Sequence, residues 1–438
     1  MHTELVDPPV AAPAVRAEPA SEPTRAAAQR LRCRFCATPL RHTMVDLGMS
    51  PLCQTHIAPH ELDEPETFYP LCARVCSQCY LVQLPEFVTP QGIFGEYAYF
   101  SSYSSSWVEH ARRYCEMVTA RFGLGAHSRV IEVASNDGYL LQHLQRAGVP
   151  VLGIEPAANV ARTAIERGIP TLVDFLGRRS GQAIAAAHGR ADLVLGNNVL
   201  AHVPDINDFV CGLRELLAPQ GVITLEFPHL QRLMECNQFD TIYHEHFSYL
   251  SLTTVREIFA SHGLLLFDVE ELPTHGGSIR IYARHALRAG EPISPRVHAM
   301  VAREQALGLR SLARYESFGQ QVHETKRRLL SFLIEARAQG RRVVGYGAPG
   351  KGNTLLNYCG IRTDLLEFTV DANPYKQGKF TPGTRIPILP PEALFEARPD
   401  YVLILPWNLR DEIMEAAAGI RAWGGQFVVP IPQLQVLP

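Results

Sequence analysis

Arg129-Val-Ile-Glu-Val-Ala-Ser-Asn-Asp-Gly138 is the stretch that decides the fold. A β-branched run gives way to small and polar residues and then, over 139–147, to a helix-forming segment. That is the pattern of a strand, a tight turn and a helix start. In an open α/β sheet a ligand sits beyond the carboxyl ends of the strands, near the point where strand order reverses. Ala134, Ser135 and Gly138 let the backbone approach such a ligand closely, and Glu132, Asn136 and Asp137 place polar groups beside it. Further on, Gly153-Ile-Glu155-Pro156 closes a second strand, 151–154, where the Glu155 carboxylate can accept both hydrogens of a ribose diol. Val173-Asp174-Phe175 is placed to line an adenine pocket, and Leu195-Gly-Asn197-Asn198 follows a strand at 193–195 that faces the same crevice. Singly, Glu155 and Asp174 read as ordinary strand-end acids; together they fit one site. The region lacks a phosphate-cradling Gly-x-Gly-x-x-Gly, which suits a nucleoside cofactor better than a dinucleotide.

Outward from this stretch, strands at 129–133, 151–154, 193–195 and 222–226 alternate with helices such as 139–147 and 160–167, predicting βαβ units and a parallel sheet. Four regions follow one another: a tail at 1–30, a cysteine-rich module at 31–90, this α/β domain at 91–284, and a helical connection with a second α/β domain at 285–438. Apolar residues recur at helical spacing between Leu309 and Leu333, predicting an amphipathic helix that joins the two α/β domains. The 438 residues hold 41 basic and 44 acidic side chains, too balanced for a polybasic surface that binds nucleic acid or anionic lipid. The tail is rich in Ala, Pro and Glu, reads as disordered, and lacks the apolar core of a signal peptide. No apolar run approaches the roughly 18 residues of a membrane span. Ten cysteines without a secretion signal point to a reducing compartment, the cytoplasm. The expected partner is a small molecule, with no nucleic acid and no membrane, and the expected state is a monomer.

Cys33-x2-Cys36 and Cys76-x2-Cys79 can present four thiolates tetrahedrally, as a closed structural zinc site requires. The gap between the pairs exceeds that of a compact zinc ribbon, so a hairpin or loop fills it. A redox role lacks a thioredoxin-like βαβ context. Cys53 and Cys72 have no partner spacing and read as core residues.

Tyr243-His244-Glu245-His246 is the densest set of acid–base groups, just after the fifth strand and its loop. In an extended segment His244 and His246 point one way and Tyr243 and Glu245 the other; a helical conformation changes that sorting. His-x-His with Glu245 also reads as a metal site, a reading ranked below acid–base chemistry. Read singly, His202 is a satisfied core histidine, and Tyr97, Tyr99 and Tyr103 are an aromatic patch under a loop. In the second α/β domain, Gly345-Tyr-Gly347-Ala-Pro-Gly350 matches a dinucleotide turn, with Asp371 ending the next strand. A P-loop reading fails because Gly352 stands where Ser or Thr must hold magnesium.

The order of two CxxC pairs, Gly-Glu-Tyr-Ala-Tyr-Phe-Ser-Ser-Tyr (95–103), Glu-Val-Ala-Ser-Asn-Asp-Gly (132–138) and Tyr-His-Glu-His-Phe-Ser-Tyr (243–249) resembles the S-adenosylmethionine-dependent C-methyltransferases of nucleotide-linked deoxysugars, which serve branched sugars of antibiotics and glycans. The resemblance runs from residue 31 to the C-terminus. One departure is Ala134, where the family usually has Gly. The resemblance implies a class I methyltransferase Rossmann-like domain, flanked by an N-terminal zinc-binding module and a C-terminal second Rossmann-like domain. It implies S-adenosylmethionine as cofactor, structural Zn2+, and a dTDP-linked 4-keto-6-deoxysugar as substrate. Methylation would occur beside the ketone, at carbon 3 more commonly than carbon 5. It assigns the active site to Tyr97, His202, Tyr243, Glu245 and His246, with His246 as general base. Substrate would lie against Tyr99, Tyr103, His275, Ser278 and Arg280, with its diphosphate near Lys351, Lys376 and Lys379. The rivals are a nicotinamide-dependent oxidoreductase using Gly345–Gly350, and a non-catalytic zinc-containing binding protein.

Overall fold

The computed structural model describes residues 31–94, 100–288 and 292–438, so the tail, Tyr97 and Tyr99 lie outside the described residues. Strands β1 (His42–Ser50), β2 (Tyr69–Val75) and β3 (Val82–Gln83) form an antiparallel meander. The chain then passes through the helix Ser105–Phe122 into β4 (Val130–Val133), β5 (Val151–Ile154), β6 (Thr171–Leu172), β7 (Ala191–Asn197) and β8 (Leu217–Pro228), all parallel. Next, β9 (Ser248–Tyr249) leaves this layer and pairs antiparallel with β3, so it closes the N-terminal meander as a fourth strand. β10 (Leu264–Leu272) and β11 (Ser278–His285) complete a seven-stranded sheet of order β10-β11-β8-β7-β4-β5-β6, in which β11 runs antiparallel to both neighbours. β12 (Val343–Tyr346), β13 (Thr369–Val370), β14 (Ile388–Leu389), β15 (Tyr401–Ile404), β16 (Gln426–Val429) and β17 (Gln435–Leu437) form the third sheet, ordered β14-β13-β12-β15-β16-β17. It is parallel except for β17.

All four residues of β4 are buried, as a strand covered on both faces by helices requires. In both larger sheets the first strand lies centrally and its successors diverge to either side, so each has a switch point at its carboxyl edge. The packing joins the parts more closely than the sequence divides them. Met44, Leu71 and Val82 of the meander share one hydrophobic core with Val344, Leu403 and Phe427 of the third sheet. Cys33, Cys76 and Leu81 pack instead with Val133, Leu225 and Ile279 of the seven-stranded sheet.

The strands expected in the first α/β domain are present, and β10 and β11 extend the sheet beyond them. The helix expected over 309–333 is broken: Leu312–Glu316 and Phe318–Ala338 follow a separate helix, Pro295–Ala306. Among the described residues no helix is long and apolar enough to cross a membrane.

Glu304 on the helix Pro295–Ala306 is fully buried and anchors its neighbours. Its carboxylate accepts the N–H groups of Leu252 and Thr253 at 2.7 and 2.8 Å, capping the helix Leu252–Ser261, and meets His229 Nε2 at 2.7 Å. Glu304→Ala strands these buried donors and is expected to lower stability by about 3 kcal/mol. Urea unfolding measures the loss, and Glu304→Gln should recover part of it.

Candidate active site

The turn after β4 is built tightly. Ala134 and Asn136 both take left-handed backbone angles, φ 57° and 50°, a conformation that favours glycine and strains alanine. The family's glycine at position 134 thus has a backbone reason. Glu155 at the end of β5 fastens the turn, accepting the N–H of Asn136 and that of Ala157, each at 2.9 Å. Asp137 is tied to Arg167 at 3.0 Å and to the Ser102 hydroxyl. Both carboxyl oxygens of Glu132, Ser135 Oγ and Asp137 Oδ1 are buried without a hydrogen-bond partner among the described residues. Burial pushes the Glu132 carboxyl far above its ordinary pKa, and Glu155 and Asp137 push it the same way. The unpartnered Glu132, Ser135 and Asp137 oxygens leave this turn with hydrogen-bonding capacity for a ligand. Asn197 donates to the Tyr139 hydroxyl at 3.3 Å, and Asn198 donates to His275 Nε2 at 2.9 Å. Asp174 is exposed and holds the Phe175 N–H at 2.8 Å, while Pro156 and Phe175 are half-buried at the rim.

Tyr243–His246 is a tight turn, closed by the His246 N–H donating to the Tyr243 carbonyl at 2.9 Å. The turn reverses the sorting an extended segment would give. Tyr243 and His246 share one face, ring centroids 4.1 Å apart, and His202 meets His246 edge-on at 4.7 Å. His244 turns away to the Pro70 carbonyl at 3.2 Å. Glu245 is buried towards the N-terminal module, where the Cys53 thiol donates to it at 3.5 Å. His246 Nδ1–H donates to the Thr241 carbonyl at 2.9 Å, which leaves Nε2 as the basic nitrogen. Burial holds the His246 pKa well below the usual histidine value, helped by His202, His275 and Lys351. Burial also lowers His202 and His275 to about 4 each. The cluster is neutral imidazole at physiological pH.

The third sheet brings its switch point to this cluster. An added Cβ on Gly276, beside His275, would meet the Trp407 ring at 2.5 Å. Lys351 lies 4.5 Å over that ring and donates to Asn408 Oδ1 at 2.7 Å. The glycines of the dinucleotide-like turn are filled by protein. An added Cβ would strike Pro406 at Gly347, the Cys53 sulfur at Gly350 and Leu405 at Gly352, at 2.6, 2.9 and 2.9 Å. Asp371, expected to meet a ribose, instead accepts the Ala348 N–H at 2.7 Å and pairs with Lys376 at 3.4 Å.

The four cysteines converge. Cys33–Cys79 and Cys36–Cys76 sulfurs are 3.5 Å apart, and all four lie within 4.8 Å of one another. Four thiolates around one zinc would stand about 3.8 Å apart. Each CxxC forms the same knuckle, with Ala37 and Tyr80 in left-handed conformation at φ 59° and 60° directly after it. The Gln83 amide donates to Cys33 Sγ at 3.2 Å, an outer-shell contact of the kind metal thiolates use.

Family models match three consecutive stretches: a zinc-binding domain over 33–94, a methyltransferase domain over 107–268 and a C-methyltransferase C-terminal domain over 273–432. The chain is 38% identical to C-methyltransferase NovU of Streptomyces niveus over 405 residues, spanning 92% of this chain and 96% of that one. The chain belongs to the C-methyltransferase family. It is also 32% identical to a ubiquinone biosynthesis O-methyltransferase of Cereibacter sphaeroides over 98 residues, 22% of this chain and 39% of that enzyme. Among solved structures, the PH0226 protein of Pyrococcus horikoshii aligns with TM-score 0.36 and 14% identity, over 45% of this chain and 96% of that one.

In this C-methyltransferase the seven-stranded sheet is the class I methyltransferase Rossmann-like domain, preceded by the zinc-binding module and followed by the C-terminal methyltransferase domain. The structure departs from two substrate assignments. Ser278 is buried and donates to the Thr274 carbonyl at 3.0 Å. Arg280 is spent in a buried pair with Glu226 at 2.6 Å and stacks 4.4 Å over Tyr114. Burial opposes ionisation of Glu226, yet His110 and Arg280 hold its carboxyl down to about 2. His275 packs against Trp107 with ring centroids 5.0 Å apart. Exposed Tyr103 stacks on Tyr375 of the C-terminal domain at 6.4 Å. Sequence reading missed Trp107, Asp240, Trp407 and Asn408; the only signal was their place one loop away from the quoted motifs.

Because β9 pairs with β3, loss of a metal held by the four cysteines should be felt at the turn Tyr243–His246. Chelation, or Cys76→Ser, is expected to speed amide exchange at Ser248 and Tyr249 as well as at Val82, read by hydrogen–deuterium exchange.

Proposed function

We propose that this C-methyltransferase uses S-adenosylmethionine to methylate the carbon beside the ketone of a dTDP-linked 4-keto-6-deoxysugar, at carbon 3 or carbon 5, through an enolate. The observation that carries this reading is the neutral His246, held by the Thr241 carbonyl through Nδ1 so that Nε2 is its basic nitrogen, with the Tyr243 and His202 rings against it. Carbon methylation needs a base to lift a proton next to a carbonyl, and a neutral imidazole is such a base. When bound, S-adenosylmethionine supplies an electrophilic methyl group. Glu132, Ser135, Asn136, Asp137, Gly138 and Glu155 would hold its methionine and ribose portions, with Pro156, Asp174, Phe175, Asn197 and Asn198 around the adenine side.

His246 takes the proton at Nε2, while Tyr243 and His202 hydrogen-bond the sugar. Tyr97 and Tyr99 belong to this reading by family resemblance. Glu245 acts from behind as a brace between the turn and Cys53. Lys376 and Lys379 lie near His56 and the start of the helix Gly350–Cys359, where a diphosphate would find cations and N–H donors. The four cysteines would bind a structural zinc with no open position for chemistry. Protein side chains filling the Gly347 and Gly350 cradles count against the nicotinamide reading.

Incubation with a dTDP-4-keto-6-deoxysugar and S-adenosylmethionine labelled with carbon-13 in the methyl group tests the function. A labelled carbon attached directly to ring carbon, seen by NMR, is the expected result; label on oxygen, or none, overturns it. His246→Ala should cut kcat by about 100-fold or more with S-adenosylhomocysteine binding unchanged. A base must be unprotonated, so on the acid side kcat should fall as pH drops through a value well below 6.5, read from a pH–rate profile.

A further inference from the structure

The charged groups of the C-terminal domain fall into two sets. His56 feels the charges of Lys376, Asp371 and Lys379. His246 and His275 feel that of Lys351. The geometry agrees: the Trp407 ring under Lys351 abuts Gly276, the residue next to His275. The lysine rests over the indole of Trp407, with Asn408 accepting one of its protons. The Trp407 indole N–H donates at 2.7 Å to Asp240, which is fully buried and has its second carboxyl oxygen unpartnered among the described residues. Asp240 and Thr241 belong to one short turn, Phe239–Thr241, against which the helix Gly350–Cys359 packs. Thr241 aims His246 through its carbonyl, and Asp240 steadies Trp407 beneath Lys351. One turn thus sets both groups.

We propose that Lys351 is a catalytic residue: its ammonium receives the ketone oxygen as that oxygen gains charge, across the substrate from His246, with Asp240 and Trp407 as positioning residues. This rests on the enolate reading above. In the step, the carbon–hydrogen bond beside the ketone breaks and its proton goes to His246 Nε2. The freed electron pair forms the carbon–carbon double bond, and the carbonyl π pair moves to oxygen beside the Lys351 ammonium. No oxidant or reductant is needed. A fixed cation at a developing oxyanion in a dry cleft is among the strongest catalytic devices proteins have.

The charges facing Lys351 are Asp240 from its turn and the two neutral rings, His246 and His275. Burial lowers the lysine to about 8 and Asp240 partly offsets this, while burial raises Asp240 to about 7. The ammonium form is the working form, so kcat should fall as pH rises through about 8.

The test follows exchange of the hydrogen beside the ketone in D2O with S-adenosylhomocysteine bound, alongside methyl transfer from S-adenosylmethionine. Lys351→Met is expected to slow both by about 100-fold, with dTDP affinity and thermal unfolding unchanged. Lys351→Arg should recover activity and move the alkaline limb of the pH profile upward. Full kcat with weakened dTDP binding in Lys351→Met places the lysine on the diphosphate and overturns the proposal. A wild-type profile flat from pH 7 to about pH 10 overturns it without any variant. Wild-type protein inert in both assays sinks the enolate reading itself, and the Lys351 role with it.

Discussion

Two backbone pairings, Val82 with Tyr249 and Gln83 with Ser248, fasten the turn Tyr243–His246 to the cysteine module. Everything else in the site takes its position from that seam. Tyr249 is buried, and its hydroxyl accepts the Tyr243 N–H at 3.3 Å. The residue that closes the strand therefore also steadies the first residue of the turn. A tight turn cannot hold a catalytic ring rigidly by itself; its ends must be fixed. Here one end is fixed by the meander and the other by the turn Phe239–Thr241, which is pressed against the C-terminal domain. The zinc-binding module is part of what holds the turn Tyr243–His246 in place.

The electrostatics divide the cleft into zones. Around Ala134 stand the acids Glu132, Asp137 and Glu155, and Lys376 and Lys379 lie half-buried in the C-terminal domain, Lys376 paired with Asp371. Between them lie three imidazoles that burial keeps neutral.

Much of this was legible in the sequence. Strand β4 and its turn, the paired CxxC knuckles and the dense Tyr-His-Glu-His segment announce themselves by residue type and spacing. Strands β10 and β11 did not, because Asp268, Glu270 and Arg280 interrupt their apolar pattern. In the structure these charges are satisfied by Arg121, Tyr282 and Glu226 respectively, partners whose proximity no local pattern reveals. The break between Glu316 and Phe318 was hidden for the opposite reason: apolar spacing continues across it. The sorting of His244 from His246 turned on one backbone hydrogen bond. The glycine turn of the C-terminal domain has the pattern of a dinucleotide turn because a glycine is equally required wherever anything approaches closely, whether phosphate or a cysteine from another part of the chain.

That last contact carries a consequence for how the molecule comes into being. Cys53 sits in the hollow of Gly350, and the Asn353 amide donates to the Cys53 carbonyl at 2.7 Å, a bond between residues 300 positions apart. The meander is among the first ordered parts to leave the ribosome, yet its core neighbours Val344, Leu403 and Phe427 are among the last. Until then Met44, Leu71 and Val82 have only the earlier members of their cluster, such as Leu230, Phe239 and Tyr249, to pack against. A metal-tied knuckle pair at the edge of that waiting surface gives it a local shape early. Assembly of the catalytic cleft must then be a late event that happens all at once, when the C-terminal sheet arrives and closes over both.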